Sequence, residues 1–299
     1  MALSLRFLFF LVFGSLSVGI LSCNDQSTIN SRPVEKTVLL PTTIEWHSEG
    51  ALAHWVYRSL FAYNSANQLL SVRDSLLTSG NAPATPWVRF SYTDDNRLST
   101  ITLNTELFDN TLQRYSQSSG FDLTYAGNTL TAQARIGNQA VKQVSISLDQ
   151  AGYPVNRNVA LGRLYLDGQG HLDYLTESKK SQERNPANYV QVLDQQYDQY
   201  QNIFSTSKEY QILAALIAAS DQSIYSRPLY FLDNPLTSNN LAFQKRKSCS
   251  VSFGQLDCSE GTIVYENQRV NEFGFPIQRS CPSGPMGTFY YTISYRQGR

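Results

Sequence analysis

Charge is what this chain is shortest of. Asp, Glu, Lys and Arg make up 16% of its 299 residues, against about a quarter in ordinary domains. The 24 Lys and Arg balance the 24 Asp and Glu, and no basic stripe stands out. The electrostatic footprint of a nucleic-acid partner is therefore missing. Histidine is scarce as well, with only His47, His54 and His171. A Ser-His-Asp triad would need one of them, and no G-x-S-x-G elbow follows residue 22. The four cysteines include no Cys-x-x-Cys pair, so nothing reads as a zinc site. The full acidic loop of a calcium site is absent. Gly168-Gln169-Gly170 lies between two strand-like runs, so it offers no helix N-terminus to a phosphate. No catalytic residue, metal ligand or cofactor site emerges. Paired glycosidase carboxylates meet only in the fold and cannot be picked from sequence.

What is present begins with an export signal. Arg6 is the only charge before the apolar run 7–13, which continues with small residues to Leu21. That length suits a signal h-region and is short for a membrane span. The run ends at Ile20-Leu21-Ser22-Cys23. This resembles the apolar-x-small-Cys box of bacterial lipoproteins, although Leu21 is bulkier than the usual residue there. The resemblance implies cleavage after Ser22 and lipidation of Cys23. Each buried acyl methylene is worth about 0.8 kcal/mol, so several chains would anchor the protein essentially permanently. Residues 1–22 are thus read as signal peptide and 23–43, polar with Pro33 and Pro41, as a flexible tether. Residues 44–299 are read as one β-rich domain.

Within that domain the clearest unit is Tyr165-Leu166-Asp167-Gly168-Gln169-Gly170-His171-Leu172-Asp173-Tyr174-Leu175. It reads as strand, tight turn, strand, because Asp-Gly and Gly170 supply positive φ cheaply. Looser copies start at Tyr63, Tyr92 and Tyr125, and variants at Asp149 and Asn271. The tyrosine spacings are 92−63 = 29, 125−92 = 33 and 165−125 = 40. The period drifts, so the pattern is a degenerate meander and no rigid solenoid. Alternation in Val88-Phe90-Tyr92 and Val144-Ile146-Leu148 gives one apolar and one wet face. Short connections make neighbouring strands antiparallel. The expected fold is all-β: one large twisted antiparallel sheet of about 12–15 strands, curled into a half-barrel or open barrel. One short helix, about 207–219, is expected as an insert over a sheet edge or open end, since its apolar residues recur at helical spacing.

Three cysteines remain after Cys23. Cys258 and Cys281 sit at the same end of a hairpin turning at 272–274, which favours a Cys258–Cys281 disulfide in an exported protein. Cys249 with Cys258 is the second choice, because it requires residues 250–257 to fold back.

The signal, the tether, the Tyr-Asx-x-x-Gly/Asn-x-Leu units, the insert opening at Tyr197-Asp198-Gln199-Tyr200-Gln201-Asn202 and the closing Asn-Glu-aromatic-Gly-aromatic-Pro hairpin together resemble the YD-repeat-like lipoproteins of unknown function from Bacteroidota. The resemblance spans nearly the whole mature chain, though each motif is short. It implies an outer-membrane lipoprotein, periplasmic or surface-facing, and transfers no catalytic residue. The functional expectation is a non-enzymatic binding or scaffold module with no cofactor. Its partners would be the membrane, through the lipid, and an envelope protein or glycan. The alternatives are a periplasmic carrier of an apolar or lipid-like ligand in the concave sheet face, and a glycan-acting hydrolase. The anchor is directly testable. Cys23→Ala should move the protein to the soluble fraction or leave it uncleaved; a variant processed normally yet still membrane-bound would show another anchor.

Overall fold

A computed structural model of the chain describes residues 38–49, 55–76, 87–108, 114–155, 157–162, 164–220, 235–252, 254–283 and 287–298. All described residues belong to one compact unit, Thr37–Arg299. Residues 1–37, Cys23 among them, lie outside the described residues. Eight strands follow one another first: β1 (Leu39–Glu49), β2 (Trp55–Tyr63), β3 (Leu69–Leu76), β4 (Val88–Tyr92), β5 (Leu98–Phe108), β6 (Arg114–Ala126), β7 (Thr129–Ile136) and β8 (Gln139–Ser147). The middle of the chain holds β9 (Val159–Leu161), β10 (Leu164–Leu166), α1 (Tyr174–Arg184), β11 (Asn188–Gln201) and α2 (Lys208–Ser220). The chain closes with β12 (Asn239–Ser252), β13 (Gln255–Val264), β14 (Glu266–Val270), β15 (Pro276–Ser283) and β16 (Gly287–Gln297).

Eleven of these strands form one antiparallel sheet in the order β14-β15-β16-β1-β2-β3-β4-β5-β6-β7-β8. The sheet is open, with β14 and β8 as its edges. The C-terminal strand β16 pairs along β1 from Leu39↔Gln297 to Glu49↔Thr288, so the two ends of the domain meet in mid-sheet. A second sheet, β11-β12-β13, and a β9-β10 hairpin complete the fold. The small sheet joins the large one through Tyr265, where β13 passes into β14 and the Tyr265 N–H donates to Ala242 O at 2.8 Å.

The turns share one atomic plan. In those beginning at Asn64, Asp149, Asp167 and Asn271, the first residue's N–H donates to the carbonyl four residues on, at 2.8–3.0 Å. Its side-chain Oδ1 accepts from the N–H groups two and four residues on. Thr93 repeats the plan with its hydroxyl, which accepts from the Arg97 N–H at 3.2 Å. The fourth residue of each turn has positive φ: Asn67 at 63°, Asn96 at 61°, Gly152 at 81°, Gly170 at 82° and Gly274 at 81°. This is a type I turn followed by a left-handed residue, the usual three-residue hairpin loop. It explains why Asx opens each unit and Gly or Asn closes it.

The unit tyrosines have an equally specific use. Tyr92 Oη donates to Leu69 O at 2.7 Å, Tyr125 to Leu98 O at 3.0 Å and Tyr295 to Pro276 O at 2.8 Å. Tyr63 donates to Pro41 O at 2.9 Å. Each tyrosine lies at or near the end of one strand and bonds a carbonyl at or near the start of the strand before it. The hydroxyls thus stitch hairpin to hairpin along one margin of the large sheet. A partly buried neutral hydrogen bond of this kind contributes about 1 kcal/mol.

Helix α2 completes the core. Glu209 through Ala218 are all buried, and Leu213, Ala214, Ala215 and Leu216 are 0% exposed. They join one apolar cluster with Ile44, Phe61, Val72, Val88, Ile101, Phe121, Leu130, Ile146 and Ile293, drawn from β1 to β8 and β16. A helix apolar all round must be enclosed, and a twisted sheet this wide curls. At its C-terminal end Lys142 Nζ donates to Ser220 O at 2.9 Å, a favourable charge for a helix C-terminus. Backbone contact is close there: a Cβ on Gly162 would stand 1.9 Å from Ala218 O.

Three expectations need correction. The sequence predicts a tether to residue 43, yet β1 begins at Leu39, because Leu39 and Leu40 are buried and pair with β16. The sequence predicts a returning strand over about 170–178. Only the Leu166↔Leu172 bridge forms, and the chain then enters α1, capped by Asp173, whose carboxylate accepts from the Thr176 N–H at 2.9 Å. The helix expected at about 207–219 is α2; as expected it runs by edge strand β8, and it fills the core as well. The disulfide joins Cys249 to Cys258, and the Cys258–Cys281 bridge does not form. Strands β12 and β13 fold back as a hairpin whose register sets Cys249 opposite Cys258, with Cα atoms 4.1 Å apart. Cys281 pairs instead with Phe289 of β16 in the large sheet, as a buried free thiol.

The turn plan makes a prediction at Gly170 and Gly168. Only Gly170 has positive φ, so Gly170→Val should cost about 1–3 kcal/mol, read from the urea midpoint. Gly168→Ala should shift that midpoint far less. Equal shifts would contradict the assignment.

Candidate functional site

The stitched margin of the sheet carries a cavity of about 250 Å3. Three turns supply its rim: Asn96 and Arg97 between β4 and β5, Gly127 and Asn128 between β6 and β7, and Asp149 to Gly152 after β8. Its walls are Tyr92, Tyr125, Leu98 and Leu148, and the first turn of α2 closes it with Lys208, Glu209 and Ile212. The helix end is held in place from both sides. The Asn202 side chain accepts from the Phe204 N–H at 2.8 Å and donates to Thr237 Oγ1 at 2.9 Å. Thr206 Oγ1 donates to Leu39 O at the start of β1.

Glu209 is the unusual group. It is 6% exposed, and burial raises its carboxyl above the ordinary value of 4.5. Its own backbone amide, the Lys208 ammonium, the Tyr92 hydroxyl and the Leu69 backbone pull the other way and do not overcome the burial. A neutral Glu209 can donate to the Tyr92 oxygen and leave the Tyr92 proton on the Leu69 carbonyl. An ionised Glu209 competes with that carbonyl for the same proton. The surrounding phenols of Tyr63, Tyr92, Tyr125 and Tyr153 are all raised, first by burial and then by the nearby Glu209 charge. On the rim, Arg97 lies 5.9 Å over the Tyr125 ring and makes a long, exposed ion pair with Asp95 at 3.5 Å.

A second polar cluster lies where the two sheets meet. Arg279 of β15 is 0% exposed, and burial pulls its guanidinium down to about 10. It donates to Leu241 O at 2.8 Å, lies 5.3 Å over the Tyr265 ring and feels the charge of Asp198. Asp198 in turn accepts from the side chains of Asn240 and Asn267. These contacts tie β11, β12, β14 and β15 together, so the cluster is structural. The Cys281 thiol beside it is raised by burial and bonded to Tyr265.

The structure gathers few of the residues singled out from sequence. Cys23 and His54 lie outside the described residues. Cys258 is exposed and Cys281 is buried in the large sheet. His171 acts as a pin: it stacks on Tyr197 at 4.3 Å, contacts Asn239 Oδ1 at 3.0 Å and sits 3.6 Å from Asp167. Lys208, Glu209 and Arg279 were not singled out from the sequence. The available signal was a carboxylate heading a helix that is otherwise apolar on every side.

No family model matches the chain, and no curated protein matches it. Similarity to solved structures is at low level, and two of them illustrate it. One is a porin-like protein from Bacteroides vulgatus ATCC 8482, with a TM-score of 0.32, 11% identity, and coverage of 86% of this chain and 98% of that one. The other is a porin-like protein from Bacteroides uniformis ATCC 8492, with a TM-score of 0.24, 10% identity and the same coverage. Neither likeness is close enough to carry a functional argument.

Glu209 predicts a pH dependence. Below pH 4.5 the folded and unfolded states both hold the proton. Above it the unfolded carboxyl ionises first, so stability falls as pH rises towards the higher folded value. Glu209→Gln should remove this slope, and its urea midpoint should gain on the parent's between pH 4.5 and neutrality. Parallel curves would show that the carboxyl does not titrate differently in the fold.

Proposed function

We propose that the chain is a non-enzymatic binding or scaffold protein of the cell envelope, tethered to a membrane by lipid on Cys23. The Ile20-Leu21-Ser22-Cys23 box and the polar residues after it support the anchor. The filled interior of the sheet carries the functional half of the reading. A carrier of an apolar ligand needs an open trough lined by the inward side chains of the sheet. Those side chains pack instead on α2, whose Leu213 and Leu216 have no exposed surface.

The hydrolase alternative has one observation in its favour, since Asp149 and Glu209 line the same cavity. Both are engaged by the fold, however. Asp149 Oδ1 accepts from the N–H groups of Ala151 and Tyr153 at 2.9 Å each. Glu209 is held by Tyr92 and Leu69. That engagement favours binding over turnover.

The test is crosslinking in intact cells, comparing the lipidated protein with Cys23→Ala, together with organic extraction of the purified protein. The reading predicts an envelope component crosslinked to the lipidated form alone and no co-purifying lipid. A stoichiometric apolar ligand in the extract would establish the carrier, and release of new reducing ends from envelope glycan would establish the hydrolase.

A further inference from the structure

We propose that the outer edge of β13 accepts an extended segment of another polypeptide as a further strand, with a basic side chain of that segment seated on Asp257. The proposal rests on the binding reading above and gives it a surface and a partner class.

This edge is open where the others are protected. Unpaired strand edges recruit other chains, and folded proteins blunt them with short lengths, bulges, charged side chains, proline or a covering element. The two larger sheets have four edges, β14 and β8 in one and β11 and β13 in the other. Strand β14 is five residues long, and its register slips twice against β15. Helix α2 runs by β8, which also carries Lys142. Helix α1 packs on β11, whose register slips three times against β12. Strand β13 keeps only two acids, Asp257 and Glu260. It runs for ten residues without a register shift, contains neither lysine nor proline, and its first eight residues are exposed. The Cys249–Cys258 disulfide fixes it to β12. An incoming strand therefore meets a ladder already in place, and only the partner has to be ordered.

A groove beside the edge points to what the partner carries. The register sets two rows across the small sheet, Asn188–Ser250–Asp257 and Val190–Ser248–Ser259. Alternation puts both rows on one face, where their small side chains leave a shallow groove of about 330 Å3 that reaches β13. Asp257 is the only charged residue in its lining. Among the described residues Asp257 has no ion-pair partner. Glu260, on the opposite face, already pairs with Lys245 at 3.3 Å. Arg246 shares the face of Asp257, but it stands four positions along β12 from Ser250, the cross-strand neighbour of Asp257. That separation is about 13 Å at roughly 3.3 Å per residue. The groove therefore offers one uncompensated carboxylate, with the hydroxyls of Ser248, Ser250 and Ser259 beside it.

An added strand fits both features. Its main chain takes up the outward N–H and C=O groups of β13. A residue placed opposite Asp257 lies within about 5.5 Å of it, in reach of a lysine or arginine head group. The seryl hydroxyls can accept further N–H bonds from that head group. In this mode the main chain supplies affinity and the pocket for one side chain supplies specificity. A second copy of β13 is the poorer occupant. It brings Asp257 and Glu260 as its only charges and sets no cation on the groove.

The probe is a fluorescein-labelled peptide, Thr-Val-Thr-Lys-Thr-Val-Thr, titrated against the purified full chain by anisotropy, with amide hydrogen exchange of β13 read by NMR at saturation. The expected result is saturable binding by millimolar concentration and slower exchange at every second amide from Leu256 to Thr262. Affinity should fall about fivefold in Asp257→Asn, and equally when methionine replaces the peptide's lysine, the upper range for one exposed ion pair. An unchanged urea midpoint would show that Asp257→Asn folds, and the methionine peptide tests the same contact on the parent chain. Absence of saturation, binding that leaves β13 exchange unchanged, or affinity indifferent to both replacements would each overturn the proposal. So would concentration-dependent dimerisation without peptide that protects the same amides, since it would give the edge to a second copy. The titration reads β13 alone, so it can fail while the lipid anchor and the envelope partner of the binding reading stand.

Discussion

The enclosure of α2 by the large sheet is the constraint on which the rest of the structure depends. Tyr210, Ile212, Leu213, Leu216 and Ile217 are all buried. At roughly 2 kcal/mol for each large apolar side chain, they bring on the order of 10 kcal/mol of burial to one element. That is comparable to the net stability of a whole domain. The strands contribute their inward residues to the same cluster, so neither layer has a finished core without the other. The enclosure also explains why β16 returns to pair with β1. Joining the chain ends in mid-sheet extends the sheet on its other side, and Tyr291 and Ile293 of β16 then enter the cluster.

An open sheet of eleven strands has many turns to specify, and the chain uses one device repeatedly. An Asx or Thr side chain closes the turn, a left-handed Asn or Gly relieves it, and a tyrosine hydroxyl fastens the next hairpin to the one before. The same margin receives the first turn of α2, where Glu209 meets Tyr92 and Leu69. The cavity is a consequence of this arrangement, since the rim turns stand beyond the helix end and leave a space beside Lys208.

Much of the fold was legible because its signals are local. Asx-to-Gly or Asx-to-Asn spacing marks the hairpins at Asn64, Asp149, Asp167 and Asn271, and alternation marks β4 and β8. The reading failed where distant residues decide. Leu39 and Leu40 look like the end of a tether until β16 arrives beside them. Leu172 and Tyr174 alternate like a strand, but Asp173 can cap a helix and Gln195 of β11 holds the entry by bonding Leu172 O and the Tyr174 N–H. Cysteine pairing depended on the register of β12 on β13, which turn spacing alone did not fix. The site was least legible. Lys208 and Glu209 read as an ordinary polar start to a helix, and only burial against Tyr92 makes Glu209 unusual.

The most direct test of this account is amide hydrogen exchange at α2, in the intact chain without denaturant. If the sheet is built around the helix, amides from Leu213 to Ile217 should exchange only through global unfolding, with protection equal to that of the slowest amides in β5 and β6. Exchange at α2 several orders of magnitude faster than in those strands would show that the helix opens independently, and the account of the core would be contradicted.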